Sequence, residues 1–372
     1  MKKTILILTV SAAILTSCKR QPVETHGSAS QTGNDSISLK KDQPEIINLI
    51  ADMETEPVAT GDDAADDACI WYNTATPEGS TIIGTNKKQG LVVYDLKGKQ
   101  LFQYPVGRVN NVDIRDGFAL GRDTVALVAA TNRSDNTISV FKVNKADGSL
   151  QNVAARKLVS EMPEVYGFGM YRSPETGKFY GFITGKEGEV EQWEMFAKGD
   201  KVDGKIVRKF QVGSQTEGVV ADDHHAKVYI GEENVALWKY GAEPGDGTER
   251  EKVASVTDRN MKSDFEGVTI YPQDGGKGYV ILSSQGNNSY AVFDREENTY
   301  LGSFALVAGE TVDGTYDTDG IDATSRYFNE KYPQGFFIAQ DGANTQGKDT
   351  LNQNFKVIDW RKVAEGLHLD KH

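Results

Sequence analysis

The sequence predicts an all-β fold, a β-propeller of four-stranded antiparallel blades, and three observations carry that prediction. From Thr81 onward, short apolar and β-branched runs are broken at intervals by Gly, Asn and Asp. Gly90–Asp95, Val125–Ala130, Thr137–Phe141, Phe179–Ile183, Lys227–Gly231, Tyr279–Leu282, Tyr290–Phe293 and Phe336–Ala339 are the clearest. Runs of this length between turn residues read as antiparallel strands. Glycine is abundant, 38 of 372 residues, against only 10 prolines, which suits tight turns and not collagen or a Pro-rich linker. Helical periodicity over three turns is almost absent; Glu45–Glu54 and Arg361–Leu367 are the best helix candidates, and both are short. A body of about 325 residues is too long for one sandwich and fits a propeller. No exact repeat sets the number of blades.

Taken from the N-terminus, Lys2 and Lys3 precede an apolar run, Ile5 to Leu15, that is too short to span a bilayer and reads as a secretory signal over residues 1–17. Leu15-Thr16-Ser17-Cys18 resembles a bacterial lipoprotein signal, so Cys18 is expected to be lipidated and to anchor an exported protein at the periplasmic or cell-surface side of a membrane. Residues 18–45 are Ser-, Thr-, Gly- and Gln-rich and cannot repay their ordering entropy, so they read as a tether to a single domain over 46–372. Cys69 is the remaining cysteine, expected to be buried and inert. Leu96-Lys-Gly-Lys99 and Ala146-Asp-Gly-Ser149 sit between strand pairs and read as hairpin turns.

The formal charge is 41 − 54 = −13, which argues against nucleic-acid binding through a basic surface. Such a chain can hold an anion only through bound metal ions or a local cluster of Lys and Arg. Arg-His-Gly, a Cys-based phosphatase loop and Gly-x-Ser-x-Gly are all missing, which removes the common covalent phosphatase and hydrolase mechanisms. Gly342–Asp349 approaches a P-loop, but Asp349 replaces the magnesium-binding hydroxyl, so it reads as a loop. Acidic clusters dominate instead: Asp62-Asp63 with Asp66-Asp67, Glu217 with Asp222-Asp223, Glu232-Glu233, Asp264 with Glu266, and Asp313 to Asp322. Carboxylates at turns are the ligands hard divalent cations require; taken singly, each cluster is also what a solvated acidic turn looks like. Lys87-Lys88, Arg133 and Lys186 flank strands as phosphate-binding side chains would.

Asp63-Ala-Ala-Asp66-Asp67-Ala-Cys-Ile-Trp71 and Asn110-Asn-Val-Asp113-Ile114 resemble the two signature segments of the β-propeller phytases. Thr85–Lys88, Ala130–Ser134, Glu164–Phe168, Thr184–Glu189, Ser214–Gly218, Ser283–Gly286, Asp313–Asp322 and Asn352–Lys356 follow in the same order, so the likeness covers about residues 50–370. The resemblance implies a six-bladed propeller with several calcium ions at one end of its channel, acting on phytate or calcium-phytate. It places Asp66, Glu217, Glu233, Asp264, Glu266, Gln285 and Asp313 at catalytic calcium positions, and Asp67, the carbonyls of Ala68 and Val112, and Asp341 at structural ones. Lys87, Lys88, Arg133, Tyr166, Lys186, Glu187 and Asp319 fall at or beside substrate phosphates. Two positions depart from the family: Ala68-Cys69 stands where Pro-Ala is usual, and Ala343 where an acidic residue is expected. A monomer is expected, with no nucleic-acid partner and membrane contact through the lipid alone. Two rival readings are a propeller lipoprotein that binds a glycan or protein without catalysis, and a calcium-dependent esterase for another phosphate ester.

Overall fold

Propeller blades stack face to face, so the inner strands of each are covered on both sides and read as nearly unbroken apolar runs, while the outermost strand meets water and alternates. The computed structural model, which describes residues 45–370, follows this rule. In the first blade Ala65–Trp71, Thr81–Asn86 and Gly90–Asp95 are almost wholly buried, whereas Gln100–Tyr104 alternates half-buried with exposed. The signal segment, Cys18 and all of the tether before Glu45 lie outside the described residues.

Among the described residues a small separate hairpin pairs Thr345–Gln346 with Asp349–Thr350, and six blade sheets, antiparallel apart from one added edge strand in blade five, follow one another along the chain. Each begins at the channel, with inner strands Ala65–Trp71, Val109–Leu120, Val165–Arg172, Thr216–Asp222, Phe265–Pro272 and Ile321–Thr324 in blades one to six. Six apolar clusters hold the ring, one between each pair of neighbouring blades. The ring closes with Met53–Glu54, which supplies the outermost strand of blade six by pairing antiparallel with Asn354–Asp359. Both expected hairpin turns form, with Gly98 and Gly148 at φ of +82° and +75°, values only glycine adopts at little cost.

The expected helix at Glu45–Glu54 is not one. Ile46–Leu49 is a strand, parallel to Tyr300–Leu306 on the edge of blade five. Its apolar spacing imitates a helix, but the exposed edge of blade five offers unpaired N–H and C=O groups that the segment satisfies, while Ile47 and Leu49 pack on the core between blades five and six. The C-terminal helix does form, as Trp360–Gly366, with the Asp359 side chain accepting from Arg361 N at 3.0 Å. Trp360 stacks on Tyr271 with ring centres 3.7 Å apart, which seats the helix on the same core.

Candidate active site

One register repeats around the ring. In blades one to five the pairing of the inner strand with the second strand is interrupted at its first residues, between Ala65 and Ala68, Val109 and Val112, Val165 and Phe168, Thr216 and Val219, and Phe265 and Val268. Such bulges re-aim side chains, and the residues they carry are Asp66, Asn110, Tyr166, Glu217 and Glu266; Asp319 precedes the inner strand of blade six. The residue that follows is Gly in four blades because a neighbouring backbone passes too close for a Cβ. At Gly167 and Gly218 an added Cβ would lie 1.9 Å and 2.0 Å from the Glu217 and Glu266 carbonyl oxygens. Gly267 N and Gly320 N donate to the Asp319 and Asp66 carbonyls, each at 2.8 Å, which ties successive blades at this level.

The same register fixes a second ring. Ala65, Val109, Val165, Thr216 and Phe265 pair with Asn86, Asn132, Gly185, Glu232 and Ser284. The next residue along each second strand is Lys87, Arg133, Lys186, Glu233 and Gln285. Antiparallel pairing therefore brings both rings to one mouth of the channel, with cationic side chains on blades one to three and oxygen-bearing ones on blades four and five.

On the acidic side Glu217, Glu233 and Glu266 each offer a carboxylate oxygen within 4.8 Å of the others, all three residues being buried. Burial pushes the Asp66 and Glu266 carboxyls well above the usual carboxylate range, and Glu217 and Asp319 push them further, although Lys87 opposes this at Asp66. Burial likewise raises Glu217, and with Glu217 and Asp264 nearby it takes Glu233 to about 7. Both Asp66 oxygens and Glu266 Oε2 are buried without a hydrogen-bond donor. Buried carboxylate oxygens without donors are costly, and Lys87, 3.2 Å from Asp66 Oδ1, offsets only part of that cost at Asp66. Oxygen donors with no His or Cys among them suit a hard divalent cation, so this site fits one. Asn110 Nδ2 reaches across the axis to Glu217 Oε1 at 2.7 Å. Gln285 Nε2 donates to Asp319 Oδ1 at 2.8 Å.

On the cationic side Lys87 Nζ lies 2.8 Å from Asp319 Oδ2, 3.2 Å from Asp66 Oδ1 and 2.5 Å from Asp63 Oδ1. Against the opposing effect of burial, Asp66, Asp319 and Glu217 raise its ammonium pKa and keep it charged. Arg133 is braced by Glu164, with Nε and Nη2 donating to Oε1 at 2.8 Å and 2.6 Å, and it lies 5.6 Å from the Tyr166 ring centre. Lys186 Nζ stands 4.9 Å from the same ring. Burial and the carboxylates of Glu217, Glu266 and Asp66 hold the Tyr166 phenol protonated.

Not every expected residue joins this mouth. Lys88 turns outward, 40% exposed, to the Gly61 carbonyl and Asp62. Glu187 is an exposed turn residue. Asp67, Ala68 and Val112 line a cavity of 30 Å³ deeper in the channel, room for a single ion or water, with Val112 N donating to Asp67 Oδ2 at 3.0 Å. Cys69 lines the same cavity, buried and in no disulfide, and burial with the charge of Asp113 pushes its thiol well up. Asp313 and Asp341 meet each other around Lys356 rather than around the axial carboxylates. Asn110 and Glu164 are parts of the site that residue chemistry alone did not single out. Their signal was positional, since Asn110 is the register equivalent of Asp66 and Glu217.

The phytase family profile matches residues 7–372. A 3-phytase of Bacillus subtilis (strain 168) is 47% identical over 327 residues, covering 86% of each chain. Among solved structures, a luciferin-regenerating enzyme superposes over 82% of this chain and 95% of its own with a TM-score of 0.51 at 8% identity, a likeness of fold alone. With its six-bladed propeller and this match over nearly its whole length, the chain belongs to the phytase family.

Proposed function

We propose that the chain is a calcium-dependent phytase, which hydrolyses phosphate monoesters of phytate with water and releases phosphate and lower inositol phosphates. The division of one channel mouth into a cationic half and a carboxylate half is the observation that carries this reading, and membership of the phytase family supports the reaction class. Asp66, Glu217, Glu233 and Glu266 would hold calcium, with Asp264 and Gln285 beside them. Calcium there supplies the charge that activates water and screens phosphate oxygens. Arg133 and Lys186, braced by Glu164 and Tyr166, present fixed donors to a phosphoryl group as its charge grows. Lys87 pairs with Asp319 where blades one and six adjoin, which places one cation of the phosphate side directly beside the carboxylate side. The test is phosphate release from phytate, with sugar phosphates and nucleotides as controls, with and without calcium. Release that is specific for phytate and abolished by chelation is expected; equal rates without calcium would defeat the reading.

The N-terminal pattern supports an exported lipoprotein anchored through Cys18. Full-length protein should partition with membranes and Cys18→Ala should not; wild-type protein found soluble and unmodified would refute the anchor.

A further inference from the structure

Lys356 is 0% exposed, yet its side chain ends among oxygens contributed by three separate segments. Its ammonium contacts Glu54 on the closing N-terminal strand and Asp313 in the connection between blades five and six; it lies 3.2 Å from Asp341 Oδ2 and 3.1 Å from Asn344 Oδ1. The second carboxylate oxygens of Asp313 and Asp341 are engaged as well. Asp313 Oδ2 accepts from Thr345 N at 2.6 Å and Thr345 Oγ1 at 2.8 Å, and Asp341 Oδ1 accepts from Tyr316 N at 3.0 Å and Ala343 N at 3.1 Å. Asn354 Nδ2 donates at 3.1 Å to Glu54 Oε2, the same oxygen that Lys356 contacts. A calcium ion needs six to eight oxygens around one centre, and here that centre is an ammonium covalently attached to the protein. The position that could have added another carboxylate is Ala343.

We infer that the Asp313–Asp341 pocket takes no calcium: Lys356 is its resident cation, and it clasps the closing strand of blade six to the rest of the ring. Asp313 and Asp341 are therefore removed from the calcium ligands that the family resemblance suggests. The inference concerns ion occupancy and holds whether or not the axial site turns over phytate.

The experiment counts calcium equivalents retained by the full chain after desalting, by elemental analysis, in wild type, Asp313→Asn and Asp341→Asn. Equal counts are expected. One equivalent fewer in either variant overturns the inference, and because Asp313 is partly exposed, its variant keeps the test open if Asp341→Asn does not fold. In a second measurement Lys356→Gln, which leaves three carboxylates facing one another, should melt roughly 5–10 °C below wild type in excess chelator. Lys356→Arg should keep most of the wild-type value. Calcium should recover part of the loss in Lys356→Gln by entering the vacated centre. An unchanged melting temperature for Lys356→Gln in chelator would overturn the clasp.

Discussion

The two ends of the central channel are made by the same inner strands and both carry clusters of acidic residues, yet they treat them differently. At the far end three aspartates receive an arginine from the protein, and the fourth, Asp322, accepts among the described residues only from Ile70 N, Thr269 Oγ1 and Ala323 N. Arg115 binds Asp113 at 3.0 Å and Asp223 at 2.9 Å, and Met170 N and Arg172 N complete the two acceptors. Arg295 forks onto Asp222 at 2.6 Å and 2.7 Å; although burial works against it, these contacts and His225 hold that carboxyl below its usual range. At the near end, among the described residues, Lys87 is the one cation in contact with Asp66, and Glu217 and Glu266 have none. An acidic residue is therefore structural or metal-seeking according to whether the fold delivers a counter-charge, and residue type alone does not decide it.

The largest effect should come from the near-end cations. Arg133→Ala and Lys186→Ala should each slow phytate hydrolysis by about 10²–10³ without unfolding the protein, since each removes a donor to the transition state. Extra calcium should not restore them, whereas it should partly restore Glu217→Gln, whose fault lies in loading the metal. Steady-state rates across a calcium titration test this. If calcium rescues Arg133→Ala, the assignment of the two halves is wrong.

The far end should show the reverse pattern. Arg115→Met leaves the half-buried Asp113 and Asp223 with backbone donors but no cation and should lower unfolding free energy by about 1–3 kcal/mol in a denaturant titration. Calcium should give no recovery. Should Arg115→Met retain wild-type stability, the contrast between the two ends would collapse.

The smallest effect is in pH, and one raised carboxyl at each end contributes to it. Desolvation, and then Asp113, raises the half-buried Asp322 carboxyl to about 7, and Glu233 lies at about 7 as well. These folded values exceed the unfolded ones, so between about pH 4 and 7 the folded chain binds more protons than the unfolded chain, and stability falls as pH rises. In chelator the melting temperature should drop across that window. With calcium the drop should shrink or reverse, because metal binds the deprotonated carboxylates. A flat profile in chelator would mean that the near-end carboxylates are already satisfied.

Much of the fold was legible because blade stacking buries whole strands, and burial on both faces writes continuous apolar runs such as Gly90–Asp95 into the chain. The acidic turns and Lys/Arg loops were legible as a site for the same local reason. What could not be read was which carboxylates the protein itself neutralises: Arg115 is 108 residues from Asp223, and Arg295 is 73 from Asp222. Such pairs arise from blade packing, which no spacing encodes. The six-fold repeat was hidden too, since it is a repeat of backbone register filled with Asp, Asn, Tyr and Glu as each blade's task requires. Ile46–Leu49 misled because an edge strand without a hairpin partner lacks the turn signals that mark the others.

The late closure of the ring, at Met53–Glu54, also sets where a protease can cut without harm. Cleavage ahead of Ile46 leaves every described strand pair in place and would shed a complete propeller from whatever holds its N-terminus. Cleavage between Leu49 and Met53 severs the covalent link between the fifth strand of blade five and the rest of the propeller. Cleavage beyond Glu54 removes the outer strand of blade six and, with it, the carboxylate that Lys356 grips. Few residues thus separate release of the intact ring from its opening.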